Sequence, residues 1–246
     1  MAKKKSKVKS AAVRPAETTI EAVFEEFLAE QRKRLKPATV RKYEAVIDLF
    51  GHSLNGYAYQ NLNTQESALF EKLYNAKGKA QREFCQIFGP EKIPENVSEF
   101  LNYFMIRKVM CGKELKKTAG TVTKKLSQWL LEKGYITPDS AADMADSGAA
   151  AVDELPAAEE FLELLEDHID QTVDAFACED VIEDHFSIDL VAPGKLRISG
   201  MMADAGVTIT VPRHVSEACR AGWTFSGAIG KAGRRWMILE VWNVYP

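Results

Sequence analysis

The apolar residues of this chain change their period once. Up to His185 they recur at the three- and four-residue spacing of amphipathic helices, and after it they fall at every second position. A chain patterned this way builds a helical part followed by a β part, and no strand-like alternation precedes Tyr135. With 246 residues it is long enough for two domains, and its 46% apolar content can fill two cores.

Thr18 and, three residues on, Glu21 open the first helix as a capping box, with Ile20, Val23, Phe24, Phe27 and Leu28 as its stripe. Pro37 starts a second helix that runs to about Phe50, where Gly51 and Gly56 weaken it. A third helical stretch covers residues 64–88 and a fourth Pro94 to Met110; the last, Thr118 to Lys133, stops at Gly134. Residues 138–156, rich in Ala, Ser, Asp and Gly, read as a flexible acidic linker. From Pro156 to Ala175 an acidic amphipathic helix presents Phe161, Leu164, Leu165, Ile169 and Val173 on one face. Five short strands follow, around Ser187–Val191, Leu196–Ser199, Val207–Val211, Trp223–Ser226 and Trp236–Trp242. So many short strands in 60 residues leave exposed edges in a flat sheet, which a small closed barrel of the OB or SH3 kind removes.

The formal net charge of −3 hides a sharp segregation. Residues 1–137 carry 25 Lys and Arg against 15 Asp and Glu, a net of +10; residues 138–194 carry none against 17, a net of −17. Residues 195–246 return to 7 against 3, a net of +4. Two basic blocks around an acidic one suggest a polyanionic partner; the competing reading is a basic domain kept soluble by an acidic linker. Residues 1–16 form a lysine-rich tail with the composition of disorder, and the basic start is followed by no apolar stretch that would make it a secretory signal. No apolar run reaches the ~18–20 residues of a membrane span. Cys85, Cys111, Cys178 and Cys219 lie too far apart for a zinc site or disulfide framework and read as buried thiols in a reducing, cytoplasmic setting.

The helical half resembles the N-terminal core-binding, SAM-like domain of tyrosine recombinases and phage integrases. The resemblance rests on Ile20 to Glu30, on Lys36-Pro-Ala-Thr-Val-Arg-Lys-Tyr43 with Thr39 and Tyr43 as a Thr-x-x-x-Tyr helix start, and on Thr121 to Ile136 as the closing helix. It implies an all-α domain over residues 17–137 that clamps one side of a DNA duplex. The family's catalytic domain needs Arg, Lys, His-x-x-Arg and a Tyr nucleophile, to stabilise the phosphorane and attack it. None of the four histidines begins His-x-x-Arg, residues 138–194 hold no Arg or Lys, and Tyr245 is the one Tyr beyond Tyr135. Residues 157–246, an acidic helix plus a small five-stranded barrel, stand where that domain would be.

Arg41, Lys42, Lys116, Lys117, Lys124 and Lys125 are the candidate DNA-binding cations, because lysines along one helix flank can hold several phosphates at once. An ordinary solvated surface is the competing reading for each of them. Arg234, Arg235 and Trp236 form a candidate second nucleic-acid surface, since arginines beside aromatics are what stacks bases; core packing is the stronger expectation for the tryptophans. Glu179, Asp180, Glu183, Asp184 and His185 invite a metal reading but fit an acidic, solvated helix end better, and Gly227 to Gly233 reads as a turn. The expectation is a non-catalytic accessory or regulatory protein that binds double-stranded DNA without a cofactor. The alternative is an adaptor that recruits a protein through the barrel and acidic helix.

Overall fold

A computed structural model describes residues 14–172, 178–200 and 206–246. The expected basic tail therefore lies almost wholly outside the described residues, as does Val173. Helix α1 (Ile20–Arg34) is capped by Thr19, whose Oγ1 accepts from the Ala22 N–H at 3.3 Å. The cap thus sits one residue later than the Thr18 spacing suggests, and Glu21 instead accepts a bond from Gln86. Helix α2 (Pro37–Tyr57) starts on its proline and runs straight through Gly51 and Gly56. Burial of Phe50 and Leu54 offsets the ~1 kcal/mol that each helical glycine costs.

The aromatic residues that follow are packed by broken chain rather than by long helices. Asn63 and Glu66 close a capping box on α3 (Thr64–Tyr74), which ends at Asn75; a 3-10 turn that begins at Gly78, φ 60°, follows, and α4 (Phe84–Ile87) resumes the α-helix. The stretch expected as one helix from Pro94 divides into a 3-10 turn, α5 (Val97–Glu99), a π-helical segment (Phe100–Phe104) and α6 (Met105–Arg107). It is anchored by Phe100, whose ring stacks on Phe50 with centroids 4.4 Å apart. Helix α7 (Lys113–Glu132) starts earlier than expected, after Gly112. Gly134, at φ 73°, turns the chain back.

Residues 138–156 are not a linker. They form the first half of α8 (Pro138–Thr172), a single helix of 35 residues and therefore about 52 Å long. Thr137 caps it, accepting the Ser140 N–H at 3.2 Å. Alanine-rich composition favours helix as strongly as flexibility once one face is buried, and Ala141, Met144, Ala151 and Leu155 are buried. Helix α8 runs back along α7 as an αα-hairpin. Pro156 lies inside it, at the cost of one backbone hydrogen bond.

After α8 come β1 (Glu179–Ala192), β2 (Lys195–Gly200), β3 (Val207–Thr210), a short α9 (Arg213–Ala218), β4 (Thr224–Ala232) and β5 (Arg235–Tyr245). They close a barrel in the order β1-β2-β3-β5-β4, antiparallel except where β3 meets β5 in parallel through Ile209 and Trp236. The five strands expected from the alternation are present, with β1, β4 and β5 longer than the pattern suggested. Residues Gly227 to Ala232 belong to β4, so the turn is confined to Gly233 and Arg234.

Two hydrophobic cores share α8. Its residues up to Leu155 join the helical core, while Ala158, Phe161 and Leu165 join the barrel core with Phe186, Ile198 and Phe225. The acidic block is therefore a strut: Glu159 pairs with Lys116 and Glu163 with Lys113 on α7, while Glu154 binds Arg220 and accepts from Trp223 Nε1. All four cysteines are free thiols. Cys85 and Cys219 are buried as expected, and burial pushes the Cys219 thiol up to about 12; Cys111 and Cys178 are only partly covered.

Candidate nucleic-acid interface

Successive residues on a helix are rotated by about 100°, so Lys117 and Lys124 lie within about 20° of one another on α7, and Lys125 about 80° round. All three are exposed, and the opposite side carries the buried stripe Val122, Leu126, Trp129 and Leu130. None of the three ammonium groups has a carboxylate partner among the described residues. Beside them a shallow groove of about 380 Å3 runs between α7 and the first turns of α8, walled by Lys124, Lys125 and Gln128 and by Pro138, Ala141 and Ala145. Arg41, exposed near the start of α2, is likewise unpaired among the described residues.

Two of the six expected cations are placed differently. Lys116 turns toward α8, is buried, and is held by Glu159. Lys42 is bound by Glu114 at the start of α7. Lys113 is also engaged: its hydrogen bond to Glu163, at 2.8 Å, raises its pKa. The acidic helix thus packs on α7 and occupies Lys113 and Lys116, while Lys117 and Lys124 have no carboxylate partner among the described residues. Sequence spacing could not separate neighbours such as Lys116 and Lys117, because only the position of α8 decides which faces inward.

On the barrel, Arg234 and Arg235 are exposed at the β4–β5 turn, beside a half-buried Trp236 that carries the Lys231 ammonium 5.8 Å from its ring centroid. These three residues line a groove of about 550 Å3 with Thr208 and Thr210 of β3 and His168 of α8. The other two barrel tryptophans divide: Trp223 is buried, and Trp242 is 46% exposed.

The acidic run from Glu179 to His185 is a strand rather than a helix end. In β1, Glu183 and Asp184 pair with Ala228 and Gly227 of β4 and so point to opposite faces. Among the described residues no three His, Cys, Asp or Glu side chains are grouped to hold a metal ion. No described helix is long and apolar enough to cross a membrane. The fold also gathers carboxylates that no spacing groups, notably Glu21, Glu25, Asp48 and Glu83 along the cleft between α1 and α2.

Comparison with protein-family models, curated proteins and solved structures returned no match to this chain.

Proposed function

We propose that this chain is a non-catalytic DNA-binding protein of the cytoplasm, an accessory or regulatory factor whose helical half is of the recombinase core-binding kind. The observation that carries the reading is the exposed line of Lys117, Lys124 and Lys125, unpaired among the described residues while neighbouring lysines are neutralised. Phosphates bound along that flank release counterions, so affinity falls steeply with salt and depends little on sequence. In electrophoretic shift assays at two salt concentrations, reversing Lys117, Lys124 and Lys125 to Glu weakens binding to all duplexes and flattens the salt slope by about one unit per lost contact. Unchanged binding overturns the proposal, and a stable protein complex without DNA retention favours the adaptor alternative.

The barrel supports a second reading, as a surface for single-stranded nucleic acid. Its strand order, the parallel β3–β5 pair and the helix between β3 and β4 support an OB-type reading, and barrels of that kind bind oligonucleotides across strands 2 and 3 and the 1–2 and 4–5 loops. Arg234, Arg235 and Trp236 stand at that 4–5 loop. Single-stranded DNA then quenches tryptophan fluorescence in a Trp236-dependent way; identical quenching in Trp236→Phe counts against this surface.

A further inference from the structure

The cleft between α1 and α2 is lined mainly by carboxylates, against the basic balance of the helical half as a whole. A groove of about 580 Å3 opens there over Phe24, Leu28 and Ile47, walled by Glu21, Glu25, Glu44, Asp48 and Glu83. Arg32 is taken by Glu44, donating from Nε at 2.8 Å and Nη2 at 2.6 Å. His52 lies 3.6 Å from Asp48. Glu21, Glu25, Asp48 and Glu83 are left without a lysine or arginine partner among the described residues.

The chain enters the fold at one end of this groove. The Ala16 N–H donates to the Ile87 carbonyl at 2.8 Å, and the adjoining Gln86 side chain donates to Glu21. Cys85 and Glu83, on the same short turn, line the groove itself. Ahead of that point stand 13 residues outside the described structure, five of them lysines: Lys3, Lys4, Lys5, Lys7 and Lys9. Thirteen residues can span up to about 43 Å. The groove wall from Glu21 to Arg32 covers about 16 Å of helix.

We propose that the N-terminal segment, residues 1–13, is the occupant of the α1–α2 groove, its lysines on the carboxylates of Glu21, Glu25, Asp48 and Glu83. Tethering at the groove's mouth supplies the segment at millimolar effective concentration, so weak individual ion pairs suffice. The contact is screened by salt and yields to a denser polyanion, which makes the tail's lysines available only when such a partner is present. The proposal stands independently of the α7 surface, because it uses neither those lysines nor DNA.

The test is zero-length carbodiimide cross-linking of the full chain, mapped by mass spectrometry. Cross-links from Lys3, Lys4, Lys5, Lys7 or Lys9 to Glu21, Glu25, Asp48 or Glu83 are expected at low salt and are lost in 1 M NaCl (a Debye length of ~3 Å). As a second measurement, a labelled peptide of residues 1–13 is titrated against a variant lacking them, which retains every residue of both described cores. Saturable binding that weakens at least tenfold in Glu25→Gln/Asp48→Asn, two exposed positions, supports the proposal. Cross-links spread equally onto the exposed Asp167 and Asp170 of α8, or peptide affinity indifferent to the double substitution, overturns it.

Discussion

Gly120 on α7 and Gly148 on α8 meet back to back where the two helices cross. A methyl group built on Gly120 would lie 2.6 Å from the Gly148 carbonyl oxygen and 2.7 Å from the Val152 nitrogen. On Gly148 it would lie 2.8 Å from the Lys124 nitrogen. Backbone atoms on both sides cannot yield, so the missing side chains set how closely the hairpin closes.

Gly120→Ala is therefore expected to destabilise the protein by about 1–3 kcal/mol through forced separation of the helices. Helix propensity alone argues the other way, with a gain of about 1 kcal/mol. Urea denaturation decides the sign: a raised midpoint with an unchanged slope would falsify the close crossing.

The Lys116–Glu159 pair is nearly sealed, with side-chain exposures of 7% and 18%. Lys116→Ala strands a carboxylate in that setting and is expected to cost about 3–5 kcal/mol, whereas Lys116→Met combined with Glu159→Leu is near neutral. A single substitution as mild as the double one removes the case for a buried pair.

Helix α8 serves two cores from one rod, which makes its two halves separable. Phe161→Ala is expected to cost about 3–5 kcal/mol and to speed amide exchange in β1 and β4 before α1 and α2; Leu155→Ala, at about 2–5 kcal/mol, does the reverse. Equal acceleration throughout the chain in both variants means that the cores unfold as one.

Stability is expected to fall with acid in two separate windows. Burial, with His214 nearby, lowers the His168 pKa from its ordinary value of 6.5. The unfolded chain then takes the proton more readily, so stability present above about pH 6.5 is lost as pH falls through the folded value. His168→Gln flattens the Tm change between about pH 7.5 and 5.5. Lower down, the hydrogen bonds from Lys133 hold Glu26 and Glu30 below their ordinary 4.5, so their contribution is present above that value and lost beneath it. Lys133→Met reduces that second loss, the bonds from Tyr135 and Trp129 remaining, and leaves the first; a variant with an unaltered acid limb rules out this cluster as its source.

The legible parts of this fold were those with a one-dimensional period. Val122, Leu126, Trp129 and Leu130 mark the buried side of α7 by spacing alone, and the alternation after His185 announces five strands that do close into a barrel. Residues 138–156 misled because alanine, serine and aspartate compose linkers and helices alike; burial of Ala141, Met144 and Ala151 against α7 makes the difference. The acidic run before His185 misled for a related reason. Its carboxylates sit in β1, where strand pairing with β4 overrides the helical spacing that Glu179 and Glu183 suggest.

What the amino-acid order determined by itself was the division into a helical and a β part, the apolar stripes of α1, α2 and α7 and the sign of charge in each block. Those follow from local periodicity and composition, which need no partner in space. The tertiary structure alone decided that Lys116 is neutralised while Lys117 is unpaired among the described residues, that α8 joins both cores, and that Glu25 and Glu83 border one groove. Each of these depends on contact between residues distant along the chain, and the geometry of that contact comes from packing, which no local pattern encodes.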